Sequence, residues 1–221
     1  TFVATPEPAY RHIAGDIREA MYRSLPVNAD DILNASEAAK AVLDLAVKST
    51  SVTIGPGLGT SSAARKFVST VLSEIDDEIP LVLDADALNI LSLSHLWWER
   101  FTSPAILTPH PGEMGRLMGI TPTEVQNNRL RRAQEAAKKF NKIVLLKGAS
   151  TLIAAPDGRV AVSPWINTGL AKGGSGDVLA GLHGYAAESA RQDLGETGMR
   201  ATDVIERLGL FYRDAIQLDF N

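Results

Sequence analysis

The sequence lacks cysteine, a surplus of basic residues and long apolar runs, and each absence excludes a class of protein. Without cysteine among its 221 residues, the chain forms no disulfide, thiolate metal site or cysteine nucleophile. Lysine and arginine number 22 against 26 acidic residues, a net charge of −4. Because nucleic-acid backbones select basic faces, we do not expect nucleic acid as the main partner.

Membrane and targeting patterns are missing as well. No stretch reaches the roughly 18 uncharged apolar residues that a membrane-spanning helix needs. The first ten residues lack the basic start and apolar centre of a secretory signal. The histidines have no HxxxH spacing, so we expect no metal site built from side chains. The sequence predicts a cytoplasmic protein without membrane contact.

What the sequence does have is an alternation of short apolar runs and amphipathic stretches. Apolar runs without strict alternation are typical of strands buried on both faces. The predicted strands are Ser51–Ile54, Leu81–Leu83, Ala105–Thr108 and Ile143–Leu146, and the predicted helices are Ala35–Lys48, Ser61–Ile75 and Pro122–Phe140. This order predicts an α/β fold in which a central, mostly parallel sheet is flanked by helices on both faces.

Local turn and capping signals refine this assignment. The turn Pro156–Arg159 separates Leu152–Ala155 from Val160–Ser163, which predicts an antiparallel hairpin late in the sheet. Thr121, followed three residues later by Glu124, predicts a capping box at the start of the third helix.

Polar or glycine-rich segments follow each predicted strand. In open parallel sheets, ligands bind beyond the carboxyl ends of the strands. The segments are Gly55–Thr60, Asp84–Asn89, Pro109–Glu113, Lys147–Thr151 and, after the hairpin, Asn167–Asp177. Their coincidence predicts one ligand site at this edge of the sheet.

The last segment contains GGSGD at residues 173–177, directly before an apolar run. Glycines before a helix let backbone N–H groups converge on an anion, and the helix dipole adds positive charge there. Asp177 would then act as a base for a hydroxyl that attacks a phosphate. The alternative is a flexible turn in which Asp177 only caps the helix.

Two earlier segments carry glycine or lysine without a complete nucleotide motif. Gly55–Thr60 fits neither the dinucleotide fingerprint nor the P-loop, so it predicts either close approach of a ligand or a tight turn. Lys147 and Gly148 could place an ammonium and a bare backbone near a phosphate or ribose. The alternative for Lys147 is a solvated lysine.

Two further candidates are an imidazole and a pair of carboxylates. His110 lies between two prolines, which hold its backbone, and it could bind or polarise a substrate. The alternative is a structural loop histidine. Asp84 and Asp86 face the same side if the strand continues through them, whereas only Asp84 points into the site if Asp86 caps a helix. Such a pair could hold a magnesium-bound phosphate indirectly.

Together, five segments resemble the ADP/ATP-dependent NAD(P)H-hydrate dehydratases of the ribokinase-like superfamily. The segments are GPGLG at 55–59, LDADALNIL at 83–91, TPHPGEMGRLMG at 108–119, KGAST at 147–151 and NTGLAKGGSGDVLAG at 167–181. They stand in the order of that family. GGSGD alone indicates only a ribokinase-like kinase, whereas TPHPGE with DADALN is more specific to the dehydratases. The resemblance implies a ribokinase-like fold.

The resemblance also implies a kinase-like repair reaction. A hydroxyl on a hydrated nicotinamide ring is phosphorylated from ADP or ATP with Mg²⁺, and phosphate then leaves, which restores NADH or NADPH. The implied base is Asp177, and the implied anion hole is Gly173, Gly174 and Gly176. The implied nucleotide segment is Lys147, Gly148, Ala149, Ser150 and Thr151. The implied substrate pocket is Gly57, Gly59, His110 and Asp177, with Asn89 and Glu113 supporting the pocket or the magnesium shell.

The resemblance implies an extent and an assembly too. Residues 1–221 are expected to form a single ribokinase-like domain, without the family's initial strand and helix and without a helical segment after residue 181. A homo-oligomer such as a tetramer is expected. Two other functions stay open. One is a small-molecule alcohol kinase of the hydroxyethylthiazole-kinase type, which His110 and DADALN oppose. The other is a non-catalytic nucleotide-binding protein, which the complete GGSGD loop opposes.

Overall fold

A two-stranded parallel sheet opens the computed structural model, which describes residues 1–15 and 20–162. Strands β1 (Phe2–Pro6) and β2 (Met21–Leu25) flank helix α1 (Glu7–Ile13). The Glu7 carboxylate accepts a hydrogen bond from the Ser24 hydroxyl, which ties α1 to β2. The sequence predicted no element here, because the two strands, FVATP and MYRSL, are not apolar runs like those of the main sheet.

The main sheet has six strands. They are β3 (Val52–Ile54), β4 (Leu81–Leu83), β5 (Ala105–Leu107), β6 (Ile143–Leu146), β7 (Leu152–Ala154) and β8 (Val160–Val162), and they lie in sequence order. Strands β3 to β6 are parallel, whereas β7 pairs antiparallel with both β6 and β8. All residues of β4 and β5 are buried, as cover on both faces of the sheet requires. The predicted fold class and the late hairpin are confirmed.

Of the described helices outside the two-stranded sheet, one precedes β3 and the others lie between successive parallel strands of the main sheet. They are α2 (Ala35–Ala46), α3 (Ser62–Glu74), α4 (Ala85–Ser92), α5 (Pro111–Met118), α6 (Pro122–Asn127) and α7 (Arg129–Phe140). The predicted helix Ala35–Lys48 thus ends two residues early, and the Ser61 hydroxyl caps α3 by accepting from the Ala64 N–H. None of the described helices is long and apolar enough to cross a membrane.

The predicted single helix Pro122–Phe140 is wrong, because the chain breaks it into α6 and α7. Asn128 leaves the helical region with φ −141° and ψ 44°. Asparagine side chains compete with the helix for backbone hydrogen bonds, and residues 127 and 128 are both asparagine. The predicted capping box is confirmed, since Thr121 and Glu124 each accept the other's backbone N–H.

An aromatic cluster fills the core near the amino ends of β5 and β6. The buried Trp97 ring lies 4.9 Å from the Phe140 ring and 6.3 Å from the Phe101 ring, centroid to centroid. The Lys142 ammonium lies 4.6 Å from the centre of the Phe101 ring. It donates to the carbonyl oxygens of Ser103 at 2.9 Å and of Phe101 and Thr102 at 3.4 Å. The Lys142 ammonium is thus held at the amino end of β6 by neutral carbonyl oxygens.

Candidate active site

Four segments that the sequence singled out lie at the same edge of the main sheet. Parallel pairing places the carboxyl ends of β3, β4, β5 and β6 side by side. Gly55 follows β3, Asp84 follows β4, His110 lies three residues beyond β5, and Lys147 follows β6. The predicted convergence of these residues is confirmed by the topology.

The glycine-rich loop after β3 contains two kinds of glycine. A Cβ on Gly55 would lie 1.8 Å from the backbone oxygen of Asp84, so only glycine fits where β3 and β4 end together. Gly57 and Gly59 adopt φ values of 68° and 72°, and no heavy atom of the described residues lies within 4 Å of an added Cβ at either position. These two glycines border open space and hold a conformation that other residues rarely adopt.

Asp84 and Asp86 follow neither predicted alternative in full. Asp84, not Asp86, caps α4, and its Oδ1 accepts the Ala85 N–H at 2.8 Å. Asp84 is fully buried, and its Oδ2 has no hydrogen-bond partner within the described residues. The Asp86 carboxylate instead accepts the Gly59 N–H at 2.8 Å, which fixes the glycine-rich loop to α4. Asp84 therefore caps α4, whereas Asp86 binds the glycine-rich loop.

Lys147 is the partner of the buried Asp84. Its Nζ lies 2.7 Å from Asp84 Oδ1, and its side chain is 16 % exposed, so the alternative of a solvated lysine is wrong. Nζ also lies 4.0 Å from Glu113 Oε2. The backbone N–H of Lys147 donates to the Pro109 carbonyl at 2.9 Å. A buried ion pair thus joins the ends of β4 and β6 across β5.

His110 caps α5 with its side chain. Nδ1 accepts the N–H groups of Gly112 at 2.9 Å and Glu113 at 3.4 Å, which leaves the proton of the neutral ring on Nε2. The Glu113 carboxylate accepts the His110 N–H at 2.8 Å and completes a capping box. Burial, and next the Lys147 charge, lower the pKa of His110. Burial raises the pKa of Glu113.

Asn89 braces the two helices that follow β4 and β5. Its Oδ1 accepts from Arg116 Nε at 2.9 Å, and its Nδ2 donates to Asp86 at 3.3 Å. Both groups of the amide are therefore engaged within the protein, and a supporting role for Asn89 stays a prediction.

Arg129, at the start of α7, holds the segment Lys147–Thr151 in place. Its Nη2 lies 2.9 Å from the Ser150 carbonyl oxygen, 3.2 Å from that of Leu146 and 3.4 Å from that of Lys147. A Cβ on Gly148 would lie 2.4 Å from Nη2, so the guanidinium rests against this glycine. Sequence reasoning missed Arg129, since an arginine in a charged helix carries no local signal of such contacts.

The remaining predicted residues lie outside the described part of the chain. They are Gly173, Gly174, Gly176 and Asp177. The predicted anion hole and the predicted base accordingly stay predictions.

Comparison with known proteins places these features in a family context. The family model for NAD(P)H-hydrate dehydratase matches residues 1–207. The bifunctional NAD(P)H-hydrate repair enzyme Nnr of Moorella thermoacetica is 34 % identical over 96 % of this chain and 43 % of its own length. The chain spans less than half the length of the curated relatives it matches.

Two solved structures have a similar fold. The ADP/ATP-dependent NAD(P)H-hydrate dehydratase of Bacillus subtilis, co-crystallised with ATP and Mg²⁺, has a TM-score of 0.65 at 29 % identity and covers 96 % of this chain and 78 % of its own. A ribokinase-like superfamily protein of Enterococcus faecalis has a TM-score of 0.73 at 22 % identity, over 100 % of this chain and 70 % of its own. The second likeness supports the ribokinase-like fold alone.

Proposed function

Because the chain belongs to the NAD(P)H-hydrate dehydratase family, we propose that it repairs hydrated NADH and NADPH with ADP or ATP. The hydroxyl oxygen of the hydrated ring bonds to the terminal phosphorus of the nucleotide, and the bond from that phosphorus to the leaving oxygen breaks. The ring C–O bond then breaks, inorganic phosphate leaves with the bonding electrons, and the neighbouring ring carbon loses a proton. The carbon–carbon double bond of the nicotinamide ring is thereby restored.

The observation that carries this proposal is the meeting of four segments at one sheet edge around the buried Asp84–Lys147 pair. Phosphoryl transfer depends mainly on positioning and on neutralising charge. A lysine that pairs with a buried carboxylate has its ammonium held in one position. The edge therefore has the fixed positive group that a phosphate ligand requires.

We assign the hydrated ring to the space beside Gly57, Gly59 and His110. The glycines leave room for a ring, and half of the His110 side chain is exposed. Nδ1 is committed to the α5 cap, and Nε2 lies 3.4 Å from Glu113 Oε1. We assign the Nε2–H group as a donor shared between Glu113 and an oxygen of the substrate. His110 does not accept the hydroxyl proton, and we assign that task to Asp177, helped by an anion hole of Gly173, Gly174 and Gly176.

We assign the adenine nucleotide to Lys147–Thr151, where Ala149 is exposed and Ser150 and Thr151 are partly exposed. Within residues 1–15 and 20–162, no three metal-ligating side chains form a group that could hold an ion. We assign the Mg²⁺ ion to the phosphates of the nucleotide, where it would keep several of its waters. When bound, the ion would neutralise charge on the transferred phosphoryl group, and Glu113 and Asn89 would support its water shell.

The proposal extends to the form of the protein. We propose that residues 1–221 form a single ribokinase-like domain, that the protein assembles as a homo-oligomer, and that it works in the cytoplasm on a small-molecule substrate.

The test is recovery of NADH absorbance from hydrated NADH with Mg²⁺ and either ADP or ATP. We expect wild-type protein to restore the absorbance and release one phosphate per ring.

Asp177→Asn should abolish turnover while ADP affinity, measured by calorimetry, stays within about twofold, because the variant removes only the proton acceptor. Absence of turnover in folded wild-type protein would falsify the proposal. A stable phosphorylated product would instead indicate the alcohol kinase, and ADP binding without turnover the non-catalytic protein.

A further inference from the structure

Arg129 contacts the backbone of the segment Lys147–Thr151, although it lies about twenty residues earlier in the chain. The two hydrogens of its Nη2 are shared among the carbonyl oxygens of Leu146, Lys147 and Ser150. The guanidinium also fills the space beside Gly148 that a side chain there would need. Arg129 therefore fixes both the direction of these carbonyls and the position of the segment.

The amino-terminal end of α7, where Arg129 lies, lacks the features that stabilise a helix start. Asn128 interrupts what would be a continuous helix, and it provides no side-chain cap for α7. Arg129 then places a positive charge in the first turn of α7, where the helix dipole favours negative groups. A residue that is unfavourable for its own helix is expected to have a role in tertiary contacts. For Arg129, these are the hydrogen bonds to the carbonyl oxygens of residues 146–150.

The direction of the carbonyls determines where the N–H groups of the segment point. In a trans peptide, the C=O of one residue and the N–H of the next point in opposite directions. The N–H groups of Lys147, Gly148 and Thr151 therefore point away from the guanidinium. The Lys147 N–H indeed reaches the Pro109 carbonyl, at 2.9 Å. The Gly148 N–H has no acceptor among the residues that the structure describes. The Thr151 N–H instead lies on the side of β7 that pairs with β8, as the Ala155 N–H does when it donates to the Arg159 carbonyl.

We propose that Arg129 is a positioning residue that fixes the segment Lys147–Thr151 and aims the N–H group of Gly148 at the adenine nucleotide. This inference rests on the proposed function, since it takes Lys147–Thr151 as the nucleotide segment. The donors that the segment offers are the Gly148 N–H and the Lys147 ammonium, which Asp84 holds in place. Their acceptors are oxygen or nitrogen atoms of ADP or ATP. A planar guanidinium suits this task, because it lies flat against Gly148 while it donates to several carbonyls.

The test is the affinity for ADP of Arg129→Lys, which keeps the charge but loses the planar group. We expect affinity by calorimetry to fall about tenfold or more, as for loss of hydrogen bonds from a charged group. The KM for hydrated NADH should stay within about twofold, because His110 and the glycine-rich loop do not contact Arg129. In the absence of nucleotide, hydrogen exchange at the Lys147 amide should become faster in the variant. Millimolar guanidinium should restore part of the ADP affinity of Arg129→Ala.

Two control variants separate positioning from general stability. Arg131→Lys changes the same residue type on the same helix, at an exposed side chain that pairs with Glu135. It should bind ADP like wild type. Phe140→Leu lowers stability from the buried end of α7, and it should also keep ADP affinity within about twofold.

The outcomes distinguish this inference from the proposed function. Unchanged ADP affinity in Arg129→Lys overturns the inference and leaves the function standing, as does an equal loss in Phe140→Leu. If wild-type protein binds neither ADP nor ATP, both fall. Weaker ADP binding and faster Lys147 exchange, found only in the Arg129 variants, support the inference.

Discussion

Strand β6 has a lysine directly before it and another directly after it, and the two differ in what holds their charge. Lys142, at the amino end, donates to three neutral carbonyls and lies against an aromatic ring. Lys147, at the carboxyl end, pairs with the buried Asp84 and lies near Glu113. Burial lowers the pKa of Lys142, against a smaller opposite effect of the Asp77 charge. At the amino end, the lysine contacts only carbonyl oxygens and a ring in the core. At the carboxyl end, the lysine and two carboxylates form a group of opposite charges that an anion can approach.

The largest effect is expected when the pair at the carboxyl end is broken. Lys147→Met leaves the fully buried Asp84 without its partner, and removal of one member of a buried pair costs about 3–5 kcal/mol. ADP affinity should fall by about tenfold or more, because the positive group facing the phosphates is lost. Urea unfolding and calorimetry measure the two effects.

The double variant Asp84→Asn/Lys147→Met separates the stability of the pair from its function. It removes both charges, and asparagine can still cap α4. We expect most of the stability to return while ADP affinity stays low. If Lys147→Met alone has wild-type stability, the Asp84–Lys147 pair does not join β4 and β6 as the geometry indicates.

A smaller and different effect is expected at the amino end. Lys142→Met removes the donor of three carbonyls, and groups left without partners cost about 1–3 kcal/mol in free energy of unfolding. The affinity for ADP and the KM for hydrated NADH should not change, because Lys142 lies at the opposite end of β6. Reduced ADP affinity at unchanged stability would contradict the division between the two ends.

The smallest effect is a pH dependence at His110. Its pKa in the folded protein lies below 6.5, so the unfolded chain takes up the proton more readily. Stability should therefore be constant well above pH 6.5, decrease as the pH falls through 6.5, and level off below the lowered pKa. Protonation of Nδ1 removes the acceptor that caps α5.

An NMR titration of the imidazole, beside urea unfolding at several pH values, measures this effect. His110→Asn keeps an acceptor for the cap and should lack the step that His110 contributes. A pKa of His110 at or above 6.5 would contradict the environment that burial and Lys147 create.

The four parallel strands could be predicted because each is a short buried run followed by a polar or glycine-rich segment. The position of the site followed from this, since parallel strands bring their carboxyl ends to one edge. The Thr121 capping box was equally readable, since its signal lies within four residues. Such features depend on neighbouring residues only.

The partners of the site residues could not be predicted, because they come from distant parts of the chain. Asp84 and Lys147 lie 63 positions apart, and nothing in either segment specifies the other. In the sequence, Arg129 does not differ from the neighbouring arginines of the predicted helix. In the structure, it follows the break at Asn128 and contacts residues 146–150. The same break made the prediction of one long helix wrong, since the contacts of Arg129 add to the low helix preference of Asn127 and Asn128 and together outweigh the helical pattern.

The cap that His110 provides to α5 has an evolutionary consequence. A substitution that improves contact with a new ring substrate must also supply an acceptor for the Gly112 and Glu113 N–H groups. Asparagine, aspartate, serine and threonine meet that condition, whereas alanine and the aliphatic residues do not. Directed evolution at position 110 should therefore yield folded variants mainly from these four residue types.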